Sequence, residues 1–263
     1  LTKLNLQTKI LSDRAEIQSL KLATNLFSST ITGNLSNWQN LKYNLQVTAD
    51  LDLQKTSKFV SSLPDITGQA LLQAAVEGEK LDYRFQGKIQ VPKFTAPDIT
   101  AQDLEITGDF ANNAFSGKIK LAQLQHKEIL VKTFQSQDLE ATKDQIEIKN
   151  FTLTTLGGNV NGNVLLALNN EKSDLKAKLN NLDITSISKL IAKNNLTIPL
   201  TGKLNASVDL SWLGTNINSL SGELAANFDT LTTDNLKVPL TGNLVAKLNK
   251  NNVLLEKAII NSD

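Results

Sequence analysis

Between residues 199 and 249 the chain alternates apolar and polar residues almost without a break. Leu204, Ala206, Val208, Leu210 and Trp212 are separated by Asn205, Ser207, Asp209 and Ser211. After a turn come Gly222, Leu224, Ala226 and Phe228, and after another Leu240, Gly242, Leu244, Ala246 and Leu248. Period-two alternation puts the apolar residues of a strand on one side and the polar ones on the other. The phrase Pro-Leu-Thr-Gly at 199–202 returns at 239–242, so the element is repeated. The stretch is therefore a set of one-faced strands, and function turns on what the apolar face touches.

Composition narrows the choice. Apolar residues make up 40% of the 263, enough for a sheet with one covered face and too few for two. The net charge of +1 gives no basic footprint for nucleic acid. No run approaches the roughly 18 apolar residues that a membrane-spanning helix needs, and no signal peptide is expected in this stretch. With no Cys there is no disulfide, thiolate nucleophile or cysteine zinc site. With no Met, the chain is expected to be a piece of a longer protein.

The same alternation runs through most of the chain. Tyr43, Leu45, Val47, Ala49, Leu51 and Leu53 predict a strand, as do Ala70–Val76, Leu81–Val91 and 157–168. Residues 103–121, with Asn112-Asn113 at the centre, read as a hairpin. Strands are expected at 128–134 and 145–154, and a loop at 92–98, PKFTAPD. Two segments break the period, 55–63 (KTSKFVSSL) and 185–193 (TSISKLIAK), and each predicts one short helix. The whole pattern recurs at about 130 residues. Ile17, Gly33 and Leu35 match Ile146, Gly162 and Val164, Asp52-Leu53 matches Asp183-Ile184, and Pro64 and Gly68 match Pro199 and Gly202. We therefore expect two repeats, 1–135 and 136–263, each burying its neighbour's edge in one continuous sheet.

Gly157-Gly158, Gly162, Leu182-Asp183-Ile184, Ser188-Lys189-Leu190-Ile191, Leu200-Thr201-Gly202-Lys203-Leu204, Gly214 and Leu220-Ser221-Gly222-Glu223-Leu224 together carry a resemblance. In this pattern the chain resembles the AsmA-like superfamily, the AsmA/TamB-type lipid-bridge proteins of the bacterial envelope; eukaryotic chorein-type bridges look similar in design. The resemblance implies an elongated, twisted antiparallel sheet curled into an open groove whose apolar lining holds the acyl chains of phospholipid. It implies a place in the periplasm, anchored in the inner membrane through a segment not present here, with transport toward the outer membrane. Neither that anchor nor the family's terminal segment is in this chain.

On the alternation, the candidate lining is Leu45, Val47, Leu51, Val164, Leu166, Leu204, Ala206, Val208, Leu210, Leu224, Ala226, Phe228, Leu244 and Leu248. Ala and Gly interspersed with Leu and Val give a smooth aliphatic surface rather than the large side chains of a densely packed core. Trp38 and Trp212 are candidates to line or gate the path, or simply to pack at strand ends.

Enzymatic chemistry finds little support. His126 is the only histidine; a general base would need a nucleophile and an orienting acid beside it, whereas LQHKE reads as a strand end or turn with a solvated histidine. Asp50, Asp52, Glu105, Asp109, Asp209 and Glu223 alternate onto the polar side of strands instead of converging. GGNVNG at 157–162 lacks the helix that a phosphate-binding loop requires. No cofactor or metal is expected. Three non-enzymatic readings remain: a lipid-carrying segment, a module assisting outer-membrane protein assembly through its sheet edges, and a secreted β-repeat domain with a sealed core.

Overall fold

A computed structural model describes residues 3–58, 65–191, 201–231, 240–250 and 252–262. The chain forms two compact units, Leu1–His126 and Lys127–Asp263. The first holds β1 (Lys3–Ile10), β2 (Arg14–Ala23), β3 (Phe27–Ser36) and β4 (Lys42–Asp52), then helix α1 (Leu53–Ser57). It continues with β5 (Thr67–Glu79), β6 (Asp82–Ala96), β7 (Ile99–Ala111), β8 (Ala114–Leu121) and β9 (Gln123–His126). The second holds β10 (Ile129–Ala141), β11 (Gln145–Thr155), β12 (Gly158–Ala167) and β13 (Lys172–Asp183), then helix α2 (Ile184–Ile191). β14 (Thr201–Leu213), β15 (Asn216–Leu231), β16 (Leu240–Asn249) and β17 (Asn252–Ser262) complete it.

Within each unit the strands form an antiparallel meander. β1 to β8 pair each with the next, and β7 also takes β9 along Ile99–Gln102. β10 to β17 do the same in the second unit. The fold is all-β with two short helices, as the alternation predicts. The repeat is visible element by element: in each unit four strands lead into one helix, and further strands follow.

Helix entry is built identically in the two units. The last residue of the fourth strand is an aspartate that caps the helix, satisfying backbone N–H groups that have no partner within the helix. Lys55 N–H donates to Asp52 Oδ1 at 3.1 Å, and Ser186 N–H donates to Asp183 Oδ2 at 2.9 Å. The second residue of the strand after each helix is a glycine with left-handed φ, Gly68 at 141° and Gly202 at 156°, a backbone conformation that costs glycine least.

Some boundaries differ from the sequence reading. α1 begins at Leu53 and α2 at Ile184; the remainder of the expected helices, 59–63 and 192–193, lies outside the described residues. The expected loop at 92–98 is instead the end of β6, with the turn at Pro97-Asp98. Pro92 is tolerated there because β6 carries one residue more than β5 between Gln90 and Phe94, a step at which a missing N–H breaks no regular ladder bond. Gly78 lies inside β5, and the turn falls at Lys80-Leu81. The 135/136 boundary drawn from the repeat falls within β10.

The Asp183 carboxyl is held below the usual carboxylate value, mainly by the hydrogen bond from Ser186 Oγ, which outweighs the opposing effect of burial and is helped by the Ser186 N–H and the charge of Lys203. A depressed folded value means that its stabilisation is full above the unfolded carboxylate range and is lost as pH falls through the folded value. Asp183→Ala should cost about 1 kcal/mol in urea unfolding at neutral pH. Asp183→Asn, which keeps an accepting oxygen, should cost less at neutral pH and should weaken the loss of stability on acidification.

Candidate functional site

Register decides which side chains share a face. In the second unit Gly162, Ala177, Val208, Leu224, Ala246 and Leu255 lie directly opposite one another, strand to strand, from β12 to β17. Beside this row runs another through Val160, Leu179, Ala206, Ala226, Leu244 and Ala258. On the other flank is a row through Val164, Leu175, Leu210, Gly222, Leu248 and Val253. Leu204 faces Phe228, which faces Gly242. Leu166 faces Ile146, two residues along β12 from Val164. All eleven candidate lining residues of this unit therefore lie on one face. In the first unit Leu45, Val47 and Leu51 share a face with Val76, Ala74 and Ala70.

Bulges keep the face one-sided. In β2, β11, β13 and β17 two adjacent polar residues oppose one partner: Gln18-Ser19 opposite Thr32, Lys149-Asn150 opposite Asn163, Asn180-Asn181 opposite Asn205, and Glu256-Lys257 opposite Val245. The extra residue reverses the parity of the sequence, so Ile146 and Ile148 share a face with Phe151 and Leu153. Two bulges use the same device. Asn150 and Asn181 have φ of 51° and 56°. Asn150 N–H donates to Asn163 Oδ1 at 2.7 Å, and Asn181 N–H to Asn205 Oδ1 at 2.9 Å.

The apolar face is not sealed. Thirteen of the fourteen candidates are half-buried, and Ala226 alone is buried. Among the described residues, eight of the thirteen buried apolar side chains are alanines, and the largest side chains of any type with under 2% exposure are the polar Ser136 and Ser173. A face covered by a second layer would bury its leucines and valines instead. The accessible surface is 16844 Å², against about 14,000 Å² for two compact units of half this length.

The first unit carries a feature that the candidate lining omits. Phe85, Phe110 and Phe115 lie opposite one another on β6, β7 and β8, and Gly87, Gly108 and Gly117 form the next row. The rings lie over the glycines: a Cβ on Gly108 or Gly117 would come within 2.7 or 2.9 Å of Phe115 Cζ. Aromatic rings thus fill the space that the glycines leave. The order Phe-x-Gly, Gly-x-Phe, Phe-x-Gly at 85–87, 108–110 and 115–117 was the available signal. Tyr83 stacks on Phe110, with ring centroids 6.1 Å apart. Phe228 packs over Gly242 in the second unit in the same way.

The opposite face is polar. Asn163, Lys176, Asp209, Glu223 and Lys247 form one row across it. Asp209 and Glu223 lie opposite each other, an unfavourable like-charge pair, but each has a lysine beyond it, Lys176 at 3.5 Å and Lys247 at 3.9 Å. Glu256, 2.7 Å from Lys247, raises the lysine's proton affinity. In the first unit Arg84 is likewise raised by Asp109, 2.8 Å away. A shallow depression of about 650 Å³ on the polar face of the second unit includes Asn161, Asn163, Lys176, Lys178, Ser207 and Asp209. These solvated pairs neutralise one another.

The remaining candidates are dispersed. His126 is exposed at the end of β9. Trp38 is exposed, and its indole N–H donates to the Ser12 carbonyl at 3.1 Å, tying two turns together. Trp212 is half-buried opposite Ser173. Asp50, Asp52, Glu105, Asp109, Asp209 and Glu223 are spread over both units. Among the described residues no group of three His, Cys, Asp or Glu is placed to hold a metal ion. No helix among them is long and apolar enough to cross a membrane. Comparison with protein-family models, with curated proteins and with solved structures returned no match.

Gly108→Ala would drive a methyl group against the Ser116 carbonyl of the paired strand as well as the Phe115 ring, so the ladder itself must shift and the cost in denaturant unfolding should be at least about 1–3 kcal/mol. Ser116→Ala, exposed on the polar face, should change stability by no more than about 0.5 kcal/mol.

Proposed function

We propose that this chain is a non-enzymatic lipid-carrying segment of a bacterial cell-envelope bridge. Phospholipid acyl chains lie along the apolar face, curled as a groove, and pass between inner and outer membranes while the head groups stay in water. The observation that carries this reading is the unbroken set of apolar rows from β12 to β17, whose leucines and valines from β12 to β16 are half-buried while Ala177, Ala226 and Ala246 are buried, with no second layer over them among the described residues. An apolar sheet face must be covered by something, and contiguous exposed apolar patches mark binding surfaces. An acyl chain that leaves water for such a face gains about 0.8 kcal/mol per buried CH₂. Small side chains such as Gly162, Ala177, Ala206 and Ala226 leave room for it between the leucine ridges.

The resemblance to the AsmA-like superfamily supports the same reading and supplies its setting, the periplasm with an inner-membrane anchor elsewhere in the parent protein. Transport needs a continuous apolar path, because a carboxylate in the lining holds water around itself. Leu224 is half-buried in the central row. Leu224→Asp should therefore reduce co-purifying phospholipid while the chain keeps a cooperative melting transition, because the new carboxylate remains hydrated on an open face. Loss of the folded state would instead favour a sealed core, and unchanged lipid with an unchanged fold would remove Leu224 from the path.

A further inference from the structure

We propose that in each unit two neighbouring turns form an apolar lip that enters the interfacial layer of a zwitterionic phospholipid bilayer. In the first unit the lip is the β3–β4 turn, with Trp38 and Leu41, and the β5–β6 turn, with Leu81. These side chains are 48%, 38% and 91% exposed. In the second unit it is the β12–β13 turn, with Leu168, and the β14–β15 turn, flanked by Leu213 and Ile217. They are 46%, 56% and 60% exposed. β3 to β6 and β12 to β15 are each paired on both sides, so none of this exposure comes from an unpaired strand.

The two lips occupy the same place in the repeat. In each unit the turns precede and follow the strand pair that encloses the helix, so they lie at the end of those strands remote from it. One backbone hydrogen bond joins the two turns in each: Lys80 N–H donates to the Leu41 carbonyl at 2.8 Å, and Gly214 N–H to the Glu171 carbonyl at 2.7 Å. In the second unit the buried Ser173 hydroxyl also donates to the Gly214 carbonyl at 2.7 Å. Single exposed leucines are ordinary, but large apolar residues gathered on two joined turns mark a contact surface. The turns at 112–113 and 142–144, by contrast, are wholly polar.

What the repeat keeps at the lip is apolar projection, with neither the residues nor their outline preserved. A folded partner selects shape, whereas the boundary of a fluid hydrocarbon layer selects only hydrophobicity. Trp38 suits such a boundary, because its ring is apolar and its indole N–H is already satisfied by the Ser12 carbonyl. The charges beside the lips cancel. Lys42 pairs with Glu79 at 3.5 Å, Lys80 and Asp82 flank Leu81, and Glu171 precedes Lys172. No net charge remains to select an anionic surface, and the lysine stems can lie along the apolar side chains while their ammonium groups stay at the head groups. None of these residues belongs to the fourteen that line the apolar face, so the contact does not depend on lipid carriage along it.

The test is flotation of the lipid-free 263-residue chain with phosphatidylcholine vesicles. The wild type should float with them. Leu81→Ser, Leu213→Ser and Ile217→Ser combined should weaken binding by at least about tenfold. Circular dichroism and the melting transition should stay as in the wild type, because all three side chains are exposed. The chain has two tryptophans, so Trp212→Phe leaves Trp38 as the sole indole reporter. Its emission should move to the blue when vesicles are added, and lipid spin-labelled near the head group should quench it. A wild type that does not float overturns the proposal, as does a triple variant that floats like the wild type or a Trp38 signal that vesicles do not move. Flotation only with anionic lipid, abolished by salt, also overturns it and assigns the contact to the lysines. A wild type that ignores vesicles but self-associates through the three serine-substituted positions assigns the lips to a second copy instead. Co-purified phospholipid is a separate readout, so failure of the lips and failure of the apolar face as a lipid path are told apart.

Discussion

In an antiparallel ladder, residues directly opposite each other point to the same side, and from β1 to β8 and from β10 to β17 each strand is laddered to the next in sequence. Whatever parity one strand adopts, the next inherits. The apolar rows of β12 to β17 exist because six strands in succession keep that parity. A one-residue slip in any of them would turn its leucines and valines into the polar face. The bulges follow from the same constraint. Where the sequence shifts phase, as from Ile148 to Phe151 or from Leu179 to Leu182, two polar residues occupy one ladder step and the apolar side is preserved. At two of these steps the strained asparagine is held by the side-chain oxygen of a second asparagine on the next strand, so parity there rests on a specific hydrogen bond.

A one-sided sheet still has to manage its apolar face, and the two units do so by local means. Glycine rows flatten the face and phenyl rings fold over them, so Phe115 covers Gly108 and Gly117 without a second layer. Eight alanines are buried by their cross-strand neighbours, while the leucines and valines among the candidate lining residues are only half-covered. The resulting surface is apolar, shallow and ridged by side chains of different length. It suits a flexible aliphatic ligand better than a rigid polar one, which would require fixed hydrogen-bond donors. The helices that interrupt each repeat are anchored by the capping aspartates Asp52 and Asp183, at the same place in both units.

Much of this was legible in the sequence, because parity is written directly into it. The strands at 43–52, 204–212 and 222–228, the Asn112-Asn113 turn, the helix after Asp183 and the repeat all follow from period and turn chemistry, while Leu53, read as the end of its strand, opens α1. The misreadings have physical causes. Pro92 looked like a loop because a proline breaks a ladder, and only the pairing of β6 with β5 reveals the irregular step that accommodates it. The bulge pairs were invisible as such, since two adjacent polar residues in a strand resemble its end until the opposite strand is known. The phenylalanine row over the glycines needed three strands in register before Phe85, Phe110 and Phe115 became neighbours. The fourteen lining candidates were legible as parity, while their half-exposure depends on what lies above the sheet, which no local pattern encodes.

The central claim is that the apolar face is open to solvent in the folded chain. The sequence contains no cysteine, so single cysteines can be placed at Val208 and Leu224 on the apolar face and at Ser207 and Glu223 on the polar one. The most direct measurement is the rate at which a small uncharged thiol reagent labels each folded, lipid-free variant. An open face predicts that all four react within about tenfold of one another under conditions in which the chain stays folded. Apolar-face cysteines that react only on global unfolding, while those at Ser207 and Glu223 react freely, would show a sealed interior and contradict the account.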